Sequence, residues 1–379
     1  MHCLGLMSGT SADGVDAVLA CFDGPPERPR WSLRRHHHQP YPPQLQQQVV
    51  AAGQGAPMPA PLWLELAEAI TKVQADAAQA CDPKAQAELI GCHGQTVWHR
   101  PPAAGARGAS WQVLQAPLLA HLLQRPVVHD FRAADLALGG QGAPLVPRAD
   151  AALLGRTGGW RALLNLGGIA NLTLIPPCSG RDRHAAVLGW DCGPANSLID
   201  LGMRRFTDGA ESFDRGGAMA AQGRADEGWI QHWLQEEYFQ LAPPKSTGRE
   251  CFGQDDLNRR LDQLDGASAA DAIATLTAFS AAVVAQDLRH LRQRQDIAPI
   301  ELITAGGGNQ NPVLIHELRR RCRGAQVDES STLGVPAETR EALVFALLAW
   351  WNQKGHPGNE PAVTGASVET VLGVRVNPA

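Results

Sequence analysis

The feature that most constrains this chain is a pattern that occurs twice: an apolar strand, a turn of small residues, and a second apolar strand. The first copy is residues 3–7, the turn SGTSADG (residues 8–14) and residues 15–22. The second is residues 161–166, the turn GGIAN (residues 167–171) and residues 172–176. Two β runs joined by glycine and short polar residues read as a hairpin. The copies lie about one domain length apart, which predicts a duplicated α/β lobe rather than one long sheet. At 379 residues the chain is also long for a single hydrophobic core.

The intervening segments alternate in the same α/β manner. Residues 28–54, rich in Pro, Arg and Gln, read as loop or edge strand. Leu62, Leu66, Ile70, Val73 and Ala77 recur at three and four, the spacing of an amphipathic helix. A buried strand at 88–92 is expected to run into a polar loop, HGQTVWH (residues 93–99). A helix near 116–123 and a strand at 126–131 complete a first lobe. GGQGAP (residues 139–144) reads as a flexible joint, so the lobes are placed at 1–132 plus 340–379 and at 133–339. In the second lobe a strand at 185–190 ends at Asp191, and Ser268 caps a long helix. A strand at 300–304 leads into AGGGNQNP, where Asn311 is placed to cap a helix beginning at Pro312. A helix at 341–351 and a strand at 371–376 close the chain.

Composition excludes several classes. A formal net charge of −5, with arginines spread along the chain, gives no footprint for nucleic acid. The longest apolar run, residues 342–351, is too short for a bilayer, and the N-terminus lacks a secretory pattern. The eight cysteines form no metal spacing and read as small buried residues of a reducing compartment. A soluble, cytoplasmic protein is expected, without a membrane partner. The sequence allows a homodimer and does not fix the oligomeric state.

Three glycine-rich turns are candidates for phosphate and nucleotide binding. At the first tip Gly9, Thr10, Ser11, Ala12, Asp13, Gly14, Val15 and Asp16 combine small residues, hydroxyls and carboxylates. Exposed backbone N–H groups suit a phosphate there, and Asp13 is the candidate magnesium ligand. The second tip offers Asn165, Gly167, Gly168 and Asn171. The third cluster, Gly306, Gly307 and Gly308 with Asn311, permits close approach to a planar ligand such as adenine. A turn needed only for tight packing explains it almost equally well. None of the three is a Walker A or GxGxxG sequence.

Asp191 is a candidate general base, with a helix N-cap as the competing reading. In HGQTVWH, two histidines six apart make a weak metal site. Gln95 and Thr96 suit hydrogen bonds to a sugar, and Trp98 suits its ring face. Cys192 has no local histidine to activate it as a nucleophile.

The longer motifs resemble one family. GLMSGTSADGVDAVLA, GCHGQTVWH, DFRAADLALGGQGAPLVP, NLGGIANLT, WDCGPANSLID, PPKSTGRE, AGGGNQNP and VTGAS–TVLG occur in order from Gly5 to the C-terminus. Together they look like anhydro-N-acetylmuramic acid kinase. The resemblance implies the two-lobed, duplicated RNase H-like fold of sugar kinases, hsp70 and actin, closing on a central cleft. It implies ATP and magnesium, and a coupled reaction in cell-wall recycling. Water opens the 1,6-anhydro ring while the γ-phosphate moves to the 6-oxygen, giving N-acetylmuramic acid 6-phosphate. It places the catalytic aspartate at Asp191, the ATP loop at residues 9–16, and the sugar pocket at Thr96, Trp98, Arg132 and Glu341. Cys192 stands where the family usually has threonine. Two rivals remain: a kinase of the same fold acting on a free hydroxyl, and a non-enzymatic nucleotide-dependent module of the actin or chaperone kind.

Overall fold

A computed structural model of the chain describes residues 1–9, 12–103, 106–155, 157–242, 245–247 and 251–378. The chain forms two compact units, Met1–Leu154 with Glu338–Ala379, and Gly155–Ala337.

In the first unit the opening hairpin is β1 (His2–Ser8) and β2 (Gly14–Asp23), and β3 (Arg30–Pro40) adds as an antiparallel edge strand. β4 (Leu89–Arg100) and β6 (Val127–His129) extend the other side in parallel, while β5 (Ala109–Val113) pairs with the far half of β4. The C-terminal strand Val374–Val376 closes the edge beside β6. Following the central ladder, the order is β3-β2-β1-β4-β6. The helix Arg340–Lys354 lies directly over β1 and β4. It can do so because Gly5 and Gly91, paired in register, have no side chain. A Cβ on either would collide with the helix carbonyls of Ala342 or Phe345.

The second unit repeats this topology. β7 (Arg161–Leu166), β8 (Ile169–Ile175) and β9 (Leu188–Pro194) form the antiparallel half. β10 (Glu301–Ala305) and β11 (Gln326–Glu329) continue in parallel, giving β9-β8-β7-β10-β11. Both units therefore carry the 3-2-1-4-5 strand order of the RNase H-like fold, and the duplication expected from the hairpins is present. The helix Ala269–Gln295, capped by Ser268, runs through the core with Trp190, Trp233, Phe239 and Phe279. Among the described residues it is the helix long and apolar enough to cross a membrane, and 83% of its apolar window is buried within the protein.

Several local expectations change. The units divide at 154/155 and 337/338 rather than at 132/133 and 339/340. The reason is the helix Val146–Leu154, whose Asp150 makes a buried ion pair with Arg340 in the same unit. The segment 139–144 is tied down and is not a joint. Asp135, fully buried, accepts from Gly142 N at 2.8 Å, Asn359 Nδ2 at 2.9 Å and Thr364 Oγ1 at 2.7 Å. HGQTVWH is not a loop, because β4 runs through it with Gly94 at a φ of 76°. Residues 43–53, part of a segment expected to lack helix, form the helix Pro43–Gly53, begun by a proline that needs no N–H partner.

Candidate functional site

Asp191 lies within β9, on the edge of its sheet and not at the strand end. It is no helix cap: the next helix, Ser197–Phe206, has Asn196 at its N-cap position. Alternation along the strand buries Trp190 and Cys192 in the core and turns Asp191 the other way. Its carboxylate is held from three directions. Asn171 Nδ2 donates to Oδ1 at 2.9 Å, while Ser246 Oγ and Thr247 N donate to Oδ2 at 3.0 and 3.1 Å. The backbone is fixed as well. Asp191 N donates to Lys245 O at 3.0 Å, and Tyr238 Oη donates to Asp191 O at 2.7 Å.

Behind the strand sits a buried charge pair that sequence reasoning missed. Lys245 Nζ lies 2.8 Å from Asp287 Oδ1, with side chains 3% and 1% exposed. Asp287 also accepts from Trp190 Nε1 at 2.9 Å and from the Cys192 thiol. Burial lifts the Asp287 carboxyl above its ordinary range, against the opposing pull of Lys245. The Cys192 thiol is raised far above its usual value, first by burial and then by Asp287, so no thiolate nucleophile forms there. One signal could have found the pair: Asp287 stands four residues after Val283 and four before Leu291, on the apolar face of its helix, and a carboxylate there needs a buried partner.

The second tip is anchored on its carbonyl side. Gly168 O accepts from the N–H groups of Ala195 and Ser197, and Asn196 Nδ2 donates to the carbonyls of Leu166 and Gly167 at 2.9 and 2.8 Å. Among the described residues, no hydrogen bond is donated by the N–H groups of Gly167 and Gly168. Of the third cluster, Gly306 (φ 87°) and Gly308 are required by packing, since a Cβ on either would strike Asn165 or Leu166. Gly307 has open space and lines a cavity of about 330 Å³ with Asn196, Arg204, Phe213, Gln310 and Asn311. Asn311 Oδ1 caps the helix Pro312–Arg321, accepting from Val313 N and Leu314 N at 3.1 Å.

In the first unit, Thr10 and Ser11 lie outside the described residues. Ala12 is buried with a φ of 52°, and Val15 is buried in β2. Asp13 is exposed at the tip, as a cation ligand shared with phosphate would be. Asp16 pairs with His38 Nδ1 at 2.7 Å, and partial burial raises its carboxyl above the ordinary range against the pull of His38. Among the described residues no group of three or more His, Cys, Asp or Glu could hold a metal ion by itself.

Gln95 stands apart from the role expected for it. It is fully buried beneath the tip. Its Oε1 lies 2.6 Å from Ser8 Oγ and accepts from Tyr41 Oη at 3.3 Å, while Nε2 donates to Gly9 O at 3.0 Å. No atom of its amide is left to offer a sugar, and it acts as a strut for the hairpin. Thr96 is half-buried and accepts from Gln112 Nε2 at 3.1 Å, and Trp98 is 55% exposed beside its cross-strand neighbour Trp111.

Arg132 and His93 form a second feature of this unit. Arg132 Nε and Nη2 reach His93 Nε2 at 3.2 and 3.0 Å, and Nη1 donates to Gly142 O at 2.7 Å. Burial, helped by Arg132, pushes His93 down to about 3, so the ring is neutral. Its Nδ1 then donates to Gly94 O at 3.0 Å, and Nε2 accepts from the guanidinium. Glu341, in the first turn of Arg340–Lys354, has a solvent-accessible side chain. Its carboxyl is nonetheless raised by desolvation, with Arg340 and then Arg132 pulling the other way.

Comparison with known proteins agrees over the whole length. A protein of Synechococcus sp. (strain CC9605) named anhydro-N-acetylmuramic acid kinase is 86% identical over 379 residues, covering 100% of both chains. One of the same name from Synechococcus sp. (strain CC9902) is 68% identical, again over 100% of both. Among solved structures, the activator of the 2-hydroxyisocaproyl-CoA dehydratase from Clostridium difficile with bound ADPNP matches at a TM-score of 0.41 and 11% identity. That match covers 93% of this chain and 96% of that one, and it is too loose to bear on function. Residues 1–378 match the sequence profile described as anhydro-N-acetylmuramic acid kinase, and the chain belongs to that family.

Proposed function

We propose that Asp191 is the general base in the ATP-dependent opening and 6-phosphorylation of anhydro-N-acetylmuramic acid, the reaction of this kinase family. The observation that supports it is the hold on the carboxylate: three donors orient it, and it caps no helix. Water attacks the anomeric carbon and gives its proton to Asp191. The bond from that carbon to the 6-oxygen breaks, and the oxygen takes the γ-phosphoryl group as ADP leaves. Glycoside hydrolysis ordinarily needs two carboxyl groups, an acid and a base. Phosphorus capturing the leaving oxygen replaces the acid, so one aspartate suffices. The product, N-acetylmuramic acid 6-phosphate, belongs to peptidoglycan recycling, and ATP as co-substrate places the reaction in the cytoplasm.

The remaining roles divide by unit. In the first, the tip from Gly9 to Asp16 meets the triphosphate, with Gln95 as its strut. Asp13 fits magnesium, directly or through water, and the ion supplies charge neutralisation on the phosphates. Thr96, Trp98, Arg132 and Glu341 face the sugar. The neutral His93 fixes the Arg132 guanidinium while adding no charge. In the second, the N–H groups of Gly167 and Gly168 suit phosphate oxygens. The cavity at Gly307 suits the adenosine side, beside Gly306 and Gly308, which pack against Asn165 and Leu166, while Asn171 is bound to Asp191. Mass spectrometry of products formed from ATP and anhydro-N-acetylmuramic acid in ¹⁸O-water tests the reaction. One ¹⁸O at the anomeric carbon and none in the phosphoryl group is expected. A phosphorylated sugar with its anhydro ring intact, or label in phosphate, defeats it.

A further inference from the structure

We infer that Lys245 and Asp287 are positioning residues for Asp191, acting through the segment Lys245–Thr247. The inference rests on Asp191 being the base and deepens that reading. Two of the three donors to the Asp191 carboxylate, Ser246 Oγ and Thr247 N, belong to this segment, and its Lys245 carbonyl accepts the Asp191 N–H. Residues 245–247 form no regular element, and their described backbone bonds to β9 all go to Asp191 itself. What ties the segment to the core is the Lys245 side chain, which runs inward to Asp287 on the helix Ala269–Gln295. The ammonium also lies 3.4 Å from Tyr238 O and 5.0 Å from the Tyr238 ring centre. The same Tyr238 donates its hydroxyl to Asp191 O.

Asp287 collects more than the lysine. Its other oxygen accepts from Trp190, and the Cys192 thiol is a further partner. Trp190 and Cys192 flank Asp191 in the strand. One buried carboxylate thus fixes the residues on both sides of Asp191 and the residue that begins its clamp. A simple core ion pair would tie helix to strand. This one ties both halves of the base's support to a single point, and a buried, hydrogen-bonded pair tolerates little movement.

The test separates positioning from stability. Lys245→Met strands a buried carboxylate and is expected to destabilise the fold. The double variant K245M/D287N removes both charges and should recover most of the melting temperature. Its kcat should stay low, by roughly 10- to 100-fold, as misplaced catalytic groups do, with KM for ATP and for the anhydrosugar within about threefold. Recovery of kcat together with melting temperature overturns the inference. Ser246→Ala changes an exposed side chain, so it folds whatever the buried variants do. It should lower kcat several-fold without moving the melting temperature, and wild-type kcat in it overturns the clamp. Combined with K245M/D287N, its effect should be less than multiplicative, because both act on one support. Strict multiplication counts against the link. Asp191→Asn, measured alongside, keeps the two readings apart: if it retains turnover, the assignment of the base fails, whatever the clamp variants show.

Discussion

Replacing Asp191 by Asn changes one atom, and the structure allows both its cost and its effect to be worked out. The carboxylate accepts three hydrogen bonds, at 2.9, 3.0 and 3.1 Å. Kept toward Ser246 and Thr247, the Asn oxygen preserves two of them as neutral bonds. The new amide then meets the Asn171 amide, which can turn to present its oxygen instead. Charge-assisted bonds weaken to neutral ones, a loss of about 1 kcal/mol each, partly offset by removing the need to desolvate an ion. A net destabilisation of roughly 1–2 kcal/mol follows, which for units of this size lowers the melting temperature by about 2–8 °C. The rate effect is larger. Losing a general base reduces turnover by roughly 10² to 10⁴, or about 3–5 kcal/mol in the barrier. Ring opening and phosphoryl transfer should fall together, because one step does both. Nucleotide affinity, measured by calorimetry with a non-hydrolysable analogue, should change by less than about threefold, since no donor to the triphosphate is removed. A variant that binds nucleotide normally and forms product at the wild-type rate would refute the reasoning.

Exhaustive chelation should abolish turnover, because neither hairpin tip contains Lys or Arg to meet the triphosphate; full activity without divalent ion in a malachite-green or coupled assay contradicts this. Gln95→Ala removes the strut under the first tip and takes one partner each from Ser8, Tyr41 and Gly9, though Ser8 Oγ still donates to Gly14 O and Gly9 O still accepts from Ala12 N, for a loss of about 1–2 kcal/mol. It should raise KM for ATP well above any change for the sugar, and equal shifts in both would argue against a strut. His93 is held neutral, its value pushed down to about 3 against about 6.5 when unfolded. Stability from this group is therefore complete above pH 6.5 and falls as pH drops toward 3, by about 2 kcal/mol between pH 7.5 and 5. His93→Gln should flatten that part of the acid unfolding curve, and an unchanged slope refutes the assignment. Arg340→Leu strands Asp150 in the core and should destabilise the first unit by roughly 3–5 kcal/mol, seen in urea unfolding, with D150N/R340L recovering most of it.

Local chemistry made much of this protein legible in its sequence. The hairpins, the Ser268 and Asn311 caps and the long apolar helix are set by residues within a few positions of each other. Turn propensity, capping and periodicity act at that range, so the duplication could be anticipated, whereas the strand order could not. Asp191 was legible as a candidate because its motif is local too, although whether it caps a helix was not. Excluding the cap needed the strand to be seen running past Asp191 to Pro194, with Asn196 beginning the helix.

Tertiary structure alone decided the contacts between distant positions. Gln95 carries a polar side chain in a polar motif, and nothing local says that its amide closes under a tip 86 residues earlier. The boundary at 154/155 follows from the Asp150–Arg340 pair across 190 residues, and the pinning of residues 139–144 follows from Asn359 and Thr364 reaching Asp135. Asp287 lies 97 residues from Trp190 and 42 from Lys245, yet one carboxylate gathers both. A sequence specifies such groups only through the requirement that every buried charge find partners. Which partners those are depends on how strands and helices stack, and that is settled when the core packs.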